Sequence, residues 1–234
     1  MAVARWGWWV TRRGTMLDSV QTGWQSGAWD IVVRLGDADG SAVHAYAAAL
    51  ARPNATTRNL SDAVHALCAV HGDHPGLPAE AHRHCAQPDA CDWIEEIAAA
   101  FATERAYLAA LVSAAGPLPS TPGQHHSESA LIGVRHALEM LARSDRRGCA
   151  TGAIAALVYD WTAIRGVLDQ AAVRFGIDPT MHGFPLEAET ATSVAMLGTG
   201  AAAERAITFG AQQLFAQHRG VWDLLETRAG ARDG

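Results

Sequence analysis

The chain has 234 residues, of which 49% are hydrophobic and 18% are charged, a balance that suits one globular domain with a full core. The formal net charge is -6 and the basic residues are scattered, so the concentrated positive charge that favours nucleic-acid binding is missing. All 18 basic residues are arginine, and the absence of lysine excludes a Schiff base, a lysine nucleophile and a phosphate loop ending in GK[ST].

The amino-terminal segment combines arginines with a cluster of tryptophans, and its apolar run is too short for a signal peptide. Met16 is an alternative start. We predict a disordered leader over residues 1–28, one helical domain over 29–228 and a frayed tail over 229–234. Because no stretch approaches the roughly 20 uncharged apolar residues of a membrane span, the sequence predicts a cytoplasmic protein that does not bind membranes.

Apolar residues recur at helical spacing along the whole chain, which predicts an all-α protein. After a weakly patterned opening, two short helices are predicted over about 41–51 and 59–71, the first capped by Ser41. The segment 72–90 is rich in His, Pro and Gly. It predicts a long connection with one helical turn at about 79–85.

Four long amphipathic patterns follow and predict a four-helix-type bundle with additional short helices. They cover about 92–115, 127–143, 149–175 and 200–227. The linker between the first two is rich in proline and long enough to cross the bundle. A further short helix is predicted over 187–197.

Several polar side chains fall on the inner, apolar faces of these helices, where an uncompensated charge is costly. Carboxylates from facing helices, together with histidines, are the ligands of di-iron and di-manganese bundles. The sequence therefore offers a candidate iron or manganese site formed by Glu104, Glu128, His136, Asp160, Glu204 and His218.

This pattern departs from ferritin-like proteins, because none of the four long helices carries Glu-x-x-His and only the reversed order, His136 to Glu139, is present. In the alternative interpretation, Glu104 and Glu204 form buried ion pairs with their neighbours or with Arg135 and Arg165.

A second group of metal-ligand side chains recurs at steps of three, at His65, Cys68, His71 and His74, and could hold a soft transition metal. The alternative is a core thiol with histidines at a helix end. The four cysteines have irregular spacing without a CxxC pair, so reduced thiols are expected at Cys68, Cys85, Cys91 and Cys149.

Three segments resemble an uncharacterised bacterial family of all-helical cytoplasmic proteins: GPLPSTPGQ (116–124), RHALEMLARSDRRG (135–148) and FGAQQLFAQHRGVWDLLE (209–226). The resemblance covers roughly residues 29–228. It implies a single helical domain in a bacterial cytosol and carries over no activity and no catalytic residue.

Three functional hypotheses follow. The first is a non-enzymatic regulatory or protein-interaction domain, and the second is a metal-dependent oxidoreductase of ferritin-like or haem-oxygenase-like architecture. The third is a small-molecule-binding bundle with a pocket near Tyr107, Trp161 and Trp222. The sequence leaves open whether the protein is an enzyme, which protein partner it has, and whether it forms a homo-oligomer.

Overall fold

The computed structural model describes residues 27–118, 120 and 123–233, and every regular element within them is helical. The helices are α1 (Ala28–Asp39), α2 (Ala45–Leu50), α3 (Thr57–His71), α4 (Gly76–His84), α5 (Cys91–Ala115), α6 (Gln124–Ala142), α7 (Cys149–Phe175), α8 (Glu187–Leu197) and α9 (Ala201–Asp233). Single 3-10 turns precede α2 and α5, at Ser41–Val43 and Pro88–Ala90. The predicted all-α class is confirmed.

The central helix of the bundle is α7, which packs against α1, α3, α5, α6, α8 and α9. Its side chains are buried over most of its length because apolar and small residues occupy nearly every face. The closest neighbour is α9, and the two backbones meet at Gly152 and Gly210, where neither residue has a side chain to hold them apart. The four long predicted patterns correspond to α5, α6, α7 and α9.

Four local differences from the sequence prediction have physical causes. The weakly patterned opening contains α1, a short helix that buries only a narrow stripe including Trp29 and Val32. The predicted helix over 41–51 is divided into the 3-10 turn and α2, and α4 occupies the middle of the predicted connection. Helix α9 continues to Asp233, beyond the predicted end at 227, since Arg228 and Arg232 both pair with the buried Asp62 of α3.

The expectation of four reduced thiols is wrong for two cysteines. Cys85 ends α4 in the left-handed conformation and Cys91 begins α5, and the reversal between these helices brings their Cα atoms to 5.9 Å, where a disulfide joins the side chains. Cys68 and Cys149 are free. The bond links two consecutive helices, a geometry that a search for CxxC spacing does not detect.

One helical stretch, Pro88–Ala115, is long and apolar enough to cross a membrane by length and composition. Core helices of water-soluble proteins pass the same test. In this fold the stretch includes α5, which packs on α3, α4 and α7 and carries Glu104 at the centre of its buried face.

Candidate functional site

Two buried polar networks lie side by side in the core, and α7 contributes to both. We call one the Glu104 cluster, formed by Glu104, Trp161, Arg165 and Gly183. We call the other the carboxylate–histidine chain, formed by Asp160, His218 and His71. The carboxylates and histidines of both networks are 0–3% exposed, so each depends on its protein partners for hydrogen bonds.

In the Glu104 cluster, one carboxylate from α5 accepts three hydrogen bonds. Trp161 Nε1 donates to Glu104 Oε2 at 2.8 Å and Arg165 Nη1 donates to the same oxygen at 2.9 Å. The backbone N–H of Gly183 donates to Oε1 at 2.7 Å, which fixes the loop before α8 to the bundle. This pairing agrees with the ion-pair interpretation of Glu104.

Arg165 extends the cluster toward the surface. Its Nη2 lies 3.1 Å from Asp169 Oδ1, and its guanidinium carbon lies 4.3 Å from the centre of the Tyr107 ring. The Tyr107 hydroxyl donates to Asp169 Oδ1 at 2.9 Å. Burial and this hydrogen bond raise the pKa of Tyr107 well above its ordinary value. The cluster is a closed set of paired charges, and its geometry is that of a structural anchor.

In the second network, Asp160 is held by the 3-10 turn before α2 and by α9. Ser41 donates twice, from its backbone N–H to Asp160 Oδ1 at 2.7 Å and from its hydroxyl to Oδ2 at 2.6 Å. His218 Nδ1 lies 2.6 Å from Oδ2, and Trp222 Nε1 donates to the Ser41 hydroxyl at 2.8 Å. A carboxylate that accepts this contact keeps the hydrogen of His218 on Nδ1.

The chain continues from His218 to His71 on α3. Their Nε2 atoms lie 3.1 Å apart, a hydrogen-bond distance at which one ring donates and the other accepts. The His71 ring packs edge-to-face on Phe101 and Trp161. Burial, and next the neighbouring His218, lower the pKa of His71 well below its ordinary value, so this ring is neutral.

Each end of the carboxylate–histidine chain borders a cleft. Asp160 lies in the wall of a cleft of about 340 Å³, which we call the aromatic cleft. It is lined by Trp29, Ala42, Val158, Tyr159, Asp160, Thr162, Ala163, His182, Phe184, Pro185 and Glu187. His71 lies in the wall of a smaller cleft of about 50 Å³ between α3, α4 and α6, the His71 cleft, whose lining includes Asp73, His74, Glu80, Arg135, Glu139 and Arg143.

A third cleft, of about 390 Å³, lies between α3, α6 and α9. Its floor is formed mainly by aliphatic side chains such as Leu131 and Leu225, and Asp62 and Arg228 lie in its wall as a buried ion pair. It has no connection through hydrogen bonds to Asp160 among the contacts of the described residues.

The structure brings together only two of the six residues predicted as a metal site, Asp160 and His218. Glu104 is paired with Arg165. The other three lie apart from these: Glu128 is exposed and accepts from Gln124, His136 is exposed beside Glu139, and Glu204 is half-buried in the first turn of α9. Within the described part of the chain, one group of three metal-ligand side chains is close enough to share an ion, the half-buried His44 with the exposed Asp223 and Glu226.

The side chains of the second predicted group also have separate partners. His65 Nε2 lies 2.9 Å from the carbonyl oxygen of Gly116, and His74 Nδ1 lies 3.4 Å from Arg105. Cys68 is half-buried, and burial together with the nearby Asp73 raises the pKa of its thiol. The group therefore does not converge, and His71 contributes to the core chain instead.

The pocket expected near Tyr107, Trp161 and Trp222 is filled by these side chains. Both indoles are 0% exposed and donate their N–H groups to Glu104 and Ser41. The clefts lie at the surface of the bundle. The contributions of Ser41 and His71 to the Asp160 network were missed, because both residues lie far along the sequence from α7 and α9. The signals available in the sequence were the inward positions of Asp160 and His218.

Comparison with known proteins places the chain in a family. Residues 36–233 match DUF6975, a family of unknown function. The chain belongs to this family. The DUF6975 match begins within α1 and ends with α9, so it contains the whole carboxylate–histidine chain. No curated protein and no solved structure matches the sequence.

Proposed function

We propose that this DUF6975 protein is a non-enzymatic, small-molecule-binding regulatory domain whose aromatic cleft holds a small cationic amine. The observation that carries the proposal is the composition of the cleft: three aromatic side chains, Trp29, Tyr159 and Phe184, share it with two carboxylates, Asp160 and Glu187. A ligand in the aromatic cleft would contact α1, α7 and the loop before α8 together, so its binding could regulate the protein by changing how these elements pack.

The size and lining of the cleft suit a ligand with one aromatic or aliphatic ring. Its volume of about 340 Å³ lies at the lower end of the range for small-molecule sites. Trp29 and Tyr159 pack edge-to-face, with their ring centres 6.0 Å apart, and Phe184 stacks on Phe101 of the core. The walls are therefore formed by packed elements of the fold.

The charges of the cleft favour a cation. No arginine lies among the described lining residues, and the chain has no lysine. The buried Asp160 and the exposed Glu187 supply negative charge, and the aromatic faces attract a cation further, by about 0.5–2 kcal/mol for a well-placed ammonium group. Among the described lining residues, only a protonated His182 could counter the charge of an anionic ligand.

The proposal is tested by isothermal titration calorimetry with three ligands of matched shape: 2-phenylethylamine, 2-phenylethanol and 3-phenylpropanoate. We expect the amine to bind about tenfold more tightly than the alcohol, because only the ammonium group gains the carboxylates and the ring faces. We expect no binding of the anion. Equal affinity for amine and alcohol, or no heat with either, would rule out the amine site.

Three variants locate the site. Ala163→Trp places a large ring in the cleft and should abolish binding. Glu187→Gln removes an exposed carboxylate and should weaken amine binding by up to about fivefold, the magnitude of a solvent-exposed ion pair. Glu95→Gln is the matched control, since it removes an exposed carboxylate from α5, outside the cleft, and should leave the affinity unchanged.

A further inference from the structure

We propose that the carboxylate–histidine chain is a proton relay that carries one proton from the His71 cleft to His218, beside Asp160. We further propose that binding of a cation in the aromatic cleft releases this proton through His71. The relay depends only on the geometry of Asp160, His218 and His71. The coupling to a ligand rests on the proposed amine site.

The chain is continuous from one cleft to the other. His71 lies in the wall of the His71 cleft, and its Nε2 atom is 3.1 Å from His218 Nε2. His218 Nδ1 is 2.6 Å from Asp160 Oδ2, and Asp160 lies in the wall of the aromatic cleft. Imidazole rings carry one nitrogen on each side, so each can accept a proton at one nitrogen and donate from the other.

Two protonation states fit this geometry. In the first, both rings are neutral: His218 donates from Nδ1 to Asp160, and His71 donates from Nε2 to His218 Nε2. In the second, the chain holds one more proton. That proton bonds to His71 Nδ1, the His71 Nε2–H bond breaks, and the released proton bonds to His218 Nε2. His218 is then an imidazolium beside the Asp160 carboxylate, and His71 is again neutral with its hydrogen moved to Nδ1.

The surroundings favour His218 as the place where the proton rests. His218 has the Asp160 carboxylate at hydrogen-bond distance, whereas His71 packs against Phe101 and Trp161, and no carboxylate of the described residues is hydrogen-bonded to its ring. Burial and His218 lower the pKa of His71, which agrees with a ring that passes a proton on without keeping it.

At the Asp160 end of the relay, His182 and Glu187 line the aromatic cleft with Asp160, and the Tyr159 hydroxyl donates to Asp37. The ionisable groups on α5 and at the His71 end are paired. On α5, Glu104 is paired with Arg165 of α7. At the His71 cleft, Asp73 is paired with Arg135 of α6, and Glu80 is paired with Arg143, the residue that follows the end of α6. Glu139 lies 3.9 Å from Arg135.

Two more ionisable side chains near this end of α3 also make no hydrogen bond to the carboxylate–histidine chain among the described contacts. His74 faces Arg105 of α5 at 3.4 Å. Burial and Asp73 raise the pKa of the Cys68 thiol, which therefore stays protonated. A proton that enters from the His71 cleft thus has the unneutralised Asp160 as its strongest counter-charge.

A cation in the aromatic cleft competes with this proton for Asp160. Both are positive charges beside one buried carboxylate, so each disfavours the other in a medium of low dielectric constant. Binding of an amine should release up to one proton, and by linkage the amine should bind more tightly as pH rises through the titration of the chain.

The relay is tested by NMR of the imidazole nitrogens of ¹⁵N-histidine-labelled protein, titrated between about pH 8 and pH 5. His71→Gln and His218→Gln assign the two rings. We expect His218 to become an imidazolium while His71 stays neutral and its hydrogen moves from Nε2 to Nδ1. A His71 ring that keeps its Nε2 hydrogen throughout, or that becomes the charged ring itself, would overturn the relay.

The coupling is tested by calorimetry of 2-phenylethylamine binding at about pH 6 in two buffers of different ionisation enthalpy, which reports the protons released. We expect a release of up to one proton in the wild type and in His136→Gln, an exposed histidine away from the chain. His218→Gln should abolish the release, because Ser41 still donates twice to Asp160 and keeps it a carboxylate. Binding without release would overturn the coupling alone, and absence of binding would overturn the amine site while the NMR titration still decides the relay.

Discussion

At the scale of single residues, Glu104 shows how a buried charge is held in this fold. Its carboxylate is 0% exposed and accepts from Trp161, Arg165 and Gly183, which belong to α7 and to the loop before α8. Replacing such a pair by apolar residues can cost little, but removing one partner leaves the other as an uncompensated buried charge. The side chain is therefore needed for the protein to keep Arg165 in place.

We predict that Glu104→Ala lowers the free energy of unfolding by about 3–5 kcal/mol, because Arg165 then lacks its buried counter-charge and Trp161 its acceptor. Urea denaturation followed by circular dichroism measures the change. Glu95→Ala on the exposed face of the same helix is the control and should change stability by less than about 0.5 kcal/mol. Similar losses for both variants would contradict the anchoring role of Glu104.

Sequence periodicity located the buried polar residues better than it located their partners. Glu104, Asp160 and His218 are inward-facing because helical spacing is a local property that the sequence shows directly. Their partners come from distant parts of the chain: Ser41 precedes Asp160 by 119 positions and His71 precedes His218 by 147. Which buried groups meet is decided by tertiary packing, so carboxylates on facing helices resembled a metal site in the sequence.

At the scale of elements, the long helices were predictable and the short ones less so. α5 and α7 have wide apolar faces and end at glycines, Gly116 and Gly176, which the sequence shows as stop signals. α1 and α4 have few buried side chains, and α1 gains its stability mainly from packing on α7 and α9. Their local apolar patterns are too weak to predict these helices, which the tertiary structure stabilises.

Two glycines of α7 lead to a pair of predictions, one substitution that destabilises the protein at the contact with α9 and one that stabilises it elsewhere. A Cβ at Gly152 would overlap the backbone carbonyl of Ile207, whereas a Cβ at Gly166 on the same helix meets only Ala51 Cβ at 3.8 Å. Gly152→Ala should destabilise the protein by about 1–3 kcal/mol through overpacking. Gly166→Ala should stabilise it by up to about 1 kcal/mol through helix propensity.

Thermal unfolding of the two alanine variants beside the wild type checks this prediction. The pair is informative because each adds the same methyl group to α7, so the difference isolates the space available at each position. If both changes raised the melting temperature, α7 and α9 would have to lie further apart at Gly152 than the structure shows.

At the scale of the whole molecule, stability should depend on pH at both ends of the range. On the alkaline side, burial and a hydrogen bond to a carboxylate raise the pKa of Tyr107 and of Tyr159 above the ordinary value of 10.0. The unfolded chain then loses these protons before the folded chain does, so stability is full below pH 10 and is lost as pH rises above it. Urea denaturation above pH 10 should show a steeper loss in the wild type than in Tyr159→Phe.

On the acid side, the decisive group is His71. Burial and the neighbouring His218 lower its pKa well below the ordinary value of 6.5. As pH falls below 6.5, this ring is therefore protonated in the unfolded chain and stays neutral in the folded chain. The stability contributed by a neutral His71 is therefore present above pH 6.5 and is lost as pH falls toward the lowered pKa. One proton bound only in the unfolded state corresponds to about 1.4 kcal/mol per pH unit.

His71→Gln removes this ring, and it should lower the acid slope of the unfolding free energy by up to about 1.4 kcal/mol per pH unit between about pH 5 and 6.5. His136→Gln is the matched control, because this histidine is exposed and lies away from the buried network, and its removal should leave the slope unchanged. Urea denaturation at several pH values measures both slopes. An unchanged slope in His71→Gln would mean that the folded protein admits a proton onto His71 itself, which would also contradict a ring that only passes protons to His218.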